Sequence, residues 1–268
     1  MTIVPRPVEG NFGDVLFDFV AQREGLAPRV FSDARGVPTI GLGYAMLCET
    51  PGWPPRDSLE QDLAAIGITL TAADRCRLIA VGEALCCHNF GRARCLVAPW
   101  SAGEDSFAKN SFSFTVTRRQ AQMLFELTRP DHEALLRLRL GRVLNQGLAD
   151  SQELVALFSL AYHDPVLIGP QLSRALVSGA RERAWYEIRF GCNLERQLTL
   201  ETRRSHEAEM FGLTNATPSK AERLALASLL RAKRLPMAHY MQDVGHSVAD
   251  IEAALAKLSN AAGLQQVA

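Results

Sequence analysis

Residues 153–162, ELVALFSLAY, are apolar around the whole turn of a helix. A helix without a polar side has no face to give to water, so other elements must cover it all round. That run predicts a helical lobe with 153–162 as its central, buried helix. The flanking segments fit this reading. Thr117 caps RRQAQMLFELT, and DHEALLRLRLGRVL is amphipathic. Short helices are expected over 172–177, 180–190 and 200–211, with Gly179 and Gly212 as C-terminal stops.

A second pattern lies on the N-terminal side. Asn11 caps a predicted helix running to Glu24, with Asp14 near its start and Phe12, Val15, Leu16, Phe19 and Val20 at helical spacing. Gly25 and Pro28 end it. Val30-Phe31 and Thr39-Ile40 are β-type pairs on either side of the turn Asp33-Ala34-Arg35-Gly36, which reads as a small hairpin. Gly41 and Gly43 weaken the return strand but let another chain or a ligand approach its backbone. The fold class is therefore mostly α (α+β). Its expected parts are an N-terminal helix and hairpin over 1–45, a partly helical insertion over 46–116, a helical lobe over 117–212 and a helical extension over 213–268. In the extension, Thr217-Pro218 opens a helix to about Arg234, and Ser247 with Asp250 opens another that ends before Gly263.

Charge and composition exclude several functions. The 29 basic and 29 acidic residues cancel, so no global grip on nucleic acid or anionic membrane is expected. No apolar run approaches the roughly 18 residues of a membrane-spanning helix, and membrane insertion is not expected. The first residues lack the basic start and apolar stretch of a secretory signal, so cytoplasmic synthesis and delivery by another route are expected. The six cysteines, five of them between Cys48 and Cys95, do not form a secreted framework and read as reduced, mostly packed thiols. Cys86-Cys87-His88 with Cys95 lacks the CxxC pair or second histidine of a zinc site, and no cofactor is expected.

The chemistry centres on Glu24, Asp33 and Thr39. One carboxylate ends a helix, a second starts a turn, and a hydroxyl sits on the return strand. A hairpin folded back on the helix end would set all three around one site. Glycoside hydrolysis needs two carboxyl groups flanking the bond, one protonated and one ionised. Glu24 follows an apolar helix face, where partial burial would favour its protonated form; Asp33 on a polar turn would stay charged. Spacing alone is equally compatible with solvated residues around a hairpin.

The string EGLAPRVFSDARGVPTIGLGYAM resembles the catalytic segment of the phage-type lysozymes, glycoside hydrolase family 24. Glu24-Gly25, Asp33, Thr39, Ile40, Gly41 and Gly43 match that family's pattern in identity and register. TVTRRQAQMLFELTRPDHEALL, ELVALFSLAY, RALVSGARERAWYEIRF and LETRRSHEAEMFGL resemble its helical lobe. The resemblance covers about 11–45 and 117–212. It implies a lysozyme-like, two-lobed fold and muramidase activity on the β-1,4 bond between N-acetylmuramic acid and N-acetylglucosamine. Glu24 is then the general acid, Asp33 the base or electrostatic partner of the water, and Thr39 the group that positions that water. The family pairs an arginine of its last helix with the acidic glutamate; Arg203 is the best-placed match, with Arg204 beside it.

The departures also matter. Tyr162-His163-Asp164-Pro165 stands where the family often has aromatic-Asn-x-Gly, so His163 is a candidate to bind sugar or simply a surface residue. Tyr44 stands where relatives often have His, and either stacks on a sugar or packs. The 46–116 insertion is similar to those of lysozyme-like type VI secretion effectors. Its Trp53 and Trp100 offer sugar-stacking faces or core packing. Peptidoglycan glycan strands are the expected partner, with an immunity protein or a secretion-machine carrier as further expected partners, and the periplasm of a host or rival cell as the place of action. The rivals are a lytic transglycosylase and a catalytically silent peptidoglycan-binding or assembly module.

Overall fold

The computed structural model describes residues 3–97, 112–141, 147–192 and 198–261. Among them the chain is mostly helical with one small antiparallel sheet, an α+β protein. The order is α1 (Phe12–Glu24), β1 (Ala27–Ser32), β2 (Pro38–Gly41), β3 (Tyr44–Ala45), α2 (Leu59–Ala65), α3 (Ala72–Cys86), α4 (Phe90–Leu96), α5 (Arg118–Leu140), α6 (Gln152–His163), α7 (Pro170–Val177), α8 (Arg181–Tyr186), α9 (Leu198–Phe211), α10 (Lys220–Asp243) and α11 (Val248–Ala261). A 3-10 turn, Pro165–Leu167, follows α6, and a π-helical segment, Glu187–Gly191, continues α8. The chain forms two compact units, Phe17–Asp131 and Met1–Leu16 with His132–Ala268. Residues 46–116 therefore share a unit with the hairpin, and the extension from 213 shares one with α6. No helix among the described residues is long and apolar enough to cross a membrane.

In the hairpin unit, all four residues of β2 are buried, and the Phe17 and Phe125 rings meet edge-on with centroids 5.7 Å apart. Thr71 and Asp74 form a capping box at the start of α3. Asp74, almost fully buried, also accepts from the Ser113 backbone at 3.0 Å and from its hydroxyl at 2.5 Å. A third strand, not expected from the sequence, pairs Ile40 with Tyr44.

The other unit is arranged around α6. Ser151 caps it, accepting from the Leu154 N–H. Every residue from Val155 to Ala161 is buried, and so is Glu153. A carboxylate there is tolerable only with partners. Glu153 accepts from the Arg6 backbone at 2.9 Å, from Arg6 Nε at 3.2 Å and from Arg181 Nη2 at 2.7 Å. Arg181 also donates to the Phe211 and Val4 carbonyls. One side chain of α6 thus ties together the N-terminal segment, α8 and the end of α9.

Several boundaries differ from the sequence reading. The two predicted helices on either side of Pro130 are one helix, α5. Helix α10 is capped by Ser219, not Thr217. Ser219 Oγ accepts from the Glu222 N–H while the Glu222 carboxylate accepts from the Ser219 N–H, a capping box that fixes the start. It also runs through Pro236 instead of stopping near Arg234, because Leu226, Leu230, Met237, Tyr240 and Met241 keep one face buried across the proline. Helix α11 opens as expected, with Ser247 and Asp250 bonded to each other. Cys76, Cys86, Cys87 and Cys95 are exposed, against the expectation of mostly packed thiols; helices α3 and α4 turn those positions outward. Trp100 lies outside the described residues. Trp53 is half-exposed, and its carbonyl presses on Gly82 of α3, where a Cβ would come within 2.7 Å.

Replacing Glu153 with Ala strands the Arg6 and Arg181 guanidiniums and is expected to destabilise the protein by about 3–5 kcal/mol in urea unfolding. A loss below about 1 kcal/mol would show that the pair does not hold this unit together.

Candidate active site

Helix α1 ends where Gly25 takes φ +80°, with its N–H bonded to the Ala21 carbonyl. Only a residue without a Cβ turns the chain there at low cost. Glu24 is thereby set on the last turn, exposed where partial burial was expected. The apolar face of α1 points away from it.

The hairpin register determines how Glu24, Asp33 and Thr39 relate. Ala27 faces Gly41 and Phe31 faces Thr39. Four steps along β1 match two along β2, so β1 carries a bulge. An unbroken six-residue strand would separate its ends by about 20 Å. The bulge takes up two residues of β1 relative to β2. Gly41, opposite the start of β1, is only two residues, roughly 7 Å, from Thr39. Thr39 in turn faces the residue two before Asp33. The register thus sets Thr39 near the Asp33 end of the hairpin and Gly41 opposite the residue three after Glu24.

Asp33 closes the turn with its own atoms. Its Oδ1 accepts from the N–H groups of Arg35 at 2.9 Å and Val37 at 2.8 Å, and its backbone bonds to Val37 and Gly36. Its Oδ2 takes part in no hydrogen bond among the described residues. One oxygen anchors the carboxylate, and the other remains to accept a proton or a water. Thr39 is buried and donates to the Val37 carbonyl at 3.1 Å, which leaves its oxygen able to accept. Neither hydroxyl nor carboxylate is merely solvated.

The sequence reading missed what supports this turn. Gly36 sits at φ +95°, and a Cβ there would come 3.0 Å from the Ala93 Cβ and 3.4 Å from Leu85 Cδ2. Arg94 donates to the Ala34 carbonyl, and Arg35 pairs with Glu49. Helix α4 of the insertion thus lies against the turn that carries Asp33. The glycine in the turn was the one available signal; nothing in the sequence pairs it with position 93.

Tyr44 does not offer a stacking face. It is 4 % exposed, and its hydroxyl donates to Asp62 Oδ2 at 2.7 Å, beside a second donor, Ser58. Burial first, then the Asp62 hydrogen bond and charge, push that hydroxyl well above the ordinary tyrosine range. Tyr44 is a packing residue that fastens β3 to α2.

His163 and Arg203 belong to the other unit, and the structure brings them together. Arg203 Nη1 lies 3.0 Å from His163 Nδ1; Nη2 donates to the Ser159 carbonyl at 3.1 Å and Nε to Glu207 Oε1 at 3.2 Å. Guanidinium has no acceptor, so Nδ1 must be the bare nitrogen and the imidazole proton sits on Nε2. His163 is exposed at the end of α6. Arg204, fully buried, shares Glu207 at 2.9 Å, and Ser159 Oγ donates to it at 2.7 Å. Burial pushes Glu207 up from the carboxylate range, against the pull of Arg204, Ser159 and Arg203. Glu207 orients both arginines. Among the described residues no group of three or more His, Cys, Asp or Glu is placed to hold a metal ion.

Gly36→Ala adds a strained φ and an overlap with Ala93. It is expected to destabilise the protein by about 2 kcal/mol and to lower any activity that uses Asp33. A thermal melt unchanged from wild type would show that α4 does not brace the turn. The chain matches no protein-family model, no curated protein and no solved structure.

Proposed function

We propose that this protein is a muramidase with a lysozyme-like, two-lobed fold, a glycoside hydrolase that cleaves the β-1,4 bond between N-acetylmuramic acid and N-acetylglucosamine. The observation that carries the reading is the Asp33 carboxylate, whose Oδ1 is anchored by two backbone N–H groups and whose Oδ2 makes no hydrogen bond among the described residues, on a hairpin whose register pairs Thr39 with Phe31. Two carboxylates with different surroundings suit acid–base cleavage of an acetal.

In this mechanism Glu24 donates its proton to the glycosidic oxygen as the bond to the anomeric carbon breaks. A water attacks that carbon, and its proton passes to Asp33 Oδ2. Thr39 accepts from the same water and fixes its approach. Asp33 cannot swing away, because Oδ1 is held by two backbone N–H groups. The products are two shorter glycans, one with a new reducing end. Deposition of the enzyme in a periplasm, by a secretion machine or on a virion, and an immunity protein in the producing cell complete the proposal.

Glu24→Gln removes the proton donor and is expected to slow the clearing of purified sacculi by at least ~100-fold. Asp33→Asn should act similarly, and Thr39→Ala less severely. Mass spectrometry should find reducing muropeptides. Clearing at the wild-type rate by Glu24→Gln would remove Glu24 from the mechanism, and anhydro products would identify a transglycosylase.

A further inference from the structure

Helices α7, α8 and α10 leave a cavity of about 620 Å³ within the unit built on α6. That volume lies in the roughly 300–1,000 Å³ range of small-molecule sites. Three polar groups converge on it without a mate. Among the described residues, neither the Tyr186 hydroxyl, the Glu187 carboxyl nor the Lys233 ammonium makes a hydrogen bond or an ion pair. Lys233 Nζ stands 5.1 Å from the centre of the Tyr186 ring. Arg174 joins the lining with only its Nε engaged, on the Pro170 carbonyl. Half-buried polar groups left unbonded in a concave site are ready to bind.

The backbone is shaped for this. Glu187 opens the π-helical segment, a geometry that recurs at functional sites. A Cβ at Gly191 would collide with the Glu187 carboxylate, so glycine there gives the acid its place. Ala175, Ala225 and Ala232 keep the walls low where larger side chains would close the space. The charges favour an anion. Lys233, Arg174 and Arg183 face Glu182 and Glu187, and burial pushes the Glu187 carboxyl up toward its neutral form, against the pull of Lys233. A carboxyl and a phenol between them donate and accept hydroxyl hydrogen bonds, as sugars require.

We propose that this cavity is a second glycan site, separate from the hairpin, that binds a single N-acetylmuramic acid residue with its lactyl carboxylate on Lys233 and Arg174 and its hydroxyls on Glu187 and Tyr186. The choice of an acidic sugar rests on the muramidase reading; the cavity and its unspent donors do not. Where the stem peptide has been removed the lactyl carboxylate is free, and a strand held there on α10 would keep the enzyme on the wall between cleavages.

The test uses the full-length Glu24→Gln chain, titrated calorimetrically with N-acetylmuramic acid and with N-acetylglucosamine, which differ only in the lactyl ether. Muramic acid should bind at least ~10-fold more tightly than glucosamine. Both Lys233→Ala and the exposed Arg174→Ala should weaken it by roughly 10-fold with an unchanged melt. Equal affinity for the two sugars, no binding of either, or muramic acid binding indifferent to both substitutions overturns the proposal. Sacculus clearing by the wild type is scored separately. Clearing without the site defeats this inference alone; the site without clearing defeats the muramidase reading and leaves this one standing.

Discussion

Two carboxylates with no exposed surface, Glu153 and Glu207, organise the helical unit. Desolvating an ionised carboxylate is expensive, and each is stable only because two guanidiniums reach it. Arg6 and Arg181 converge on Glu153 at one end of α6; Arg203 and Arg204 converge on Glu207, which also takes the Ser159 hydroxyl of the same helix. An apolar helix packs in many registers, since oil-like surfaces slide. Charged pairs inside the core do not slide. They set the rotation of α6 against α9 and carry that setting out to His163.

The hairpin unit solves a different problem. A nine-residue interval between Glu24 and Asp33 is mostly strand, and a straight strand would hold the two apart. The bulge in β1 takes up two residues of that interval relative to β2. The turn beyond it is fixed from inside by the Asp33 carboxylate and from outside by Ala93 and Arg94 of α4. In the proposed mechanism, an Asp33 carboxylate held this way has little freedom left to lose when substrate arrives.

Much of this was legible in the sequence. The apolar circumference of 153–162, the Gly25 stop and the β-branched pairs around Asp33-Gly36 each rest on a local rule, and each element is where the rule puts it. What was not legible depends on distant partners. Pro130 and Pro236 read as breaks because proline lacks an N–H and crowds the preceding turn. In α10 a buried face on both sides of the proline outweighs that loss. The choice for Tyr44 between stacking on a sugar and packing stayed open in the sequence because nothing nearby announces Asp62, eighteen residues on. The aromatic and polar residues of the Tyr186–Lys233 cavity lie almost fifty positions apart, and no spacing rule links them.

The bracing of the turn by α4 bears on modularity. An insertion is usually treated as a passenger, an appendage that a lineage acquires and can shed. Here a methyl group at Gly36 would come 3.0 Å from the Ala93 Cβ, so the turn and α4 are fitted to each other. Excising the segment that carries α4 would remove that fit. It would leave Leu85's and Ala93's former neighbours facing water and a hinge where there is now an abutment. Chimeras that graft this hairpin onto another scaffold must carry α4 with it or replace its contact surface.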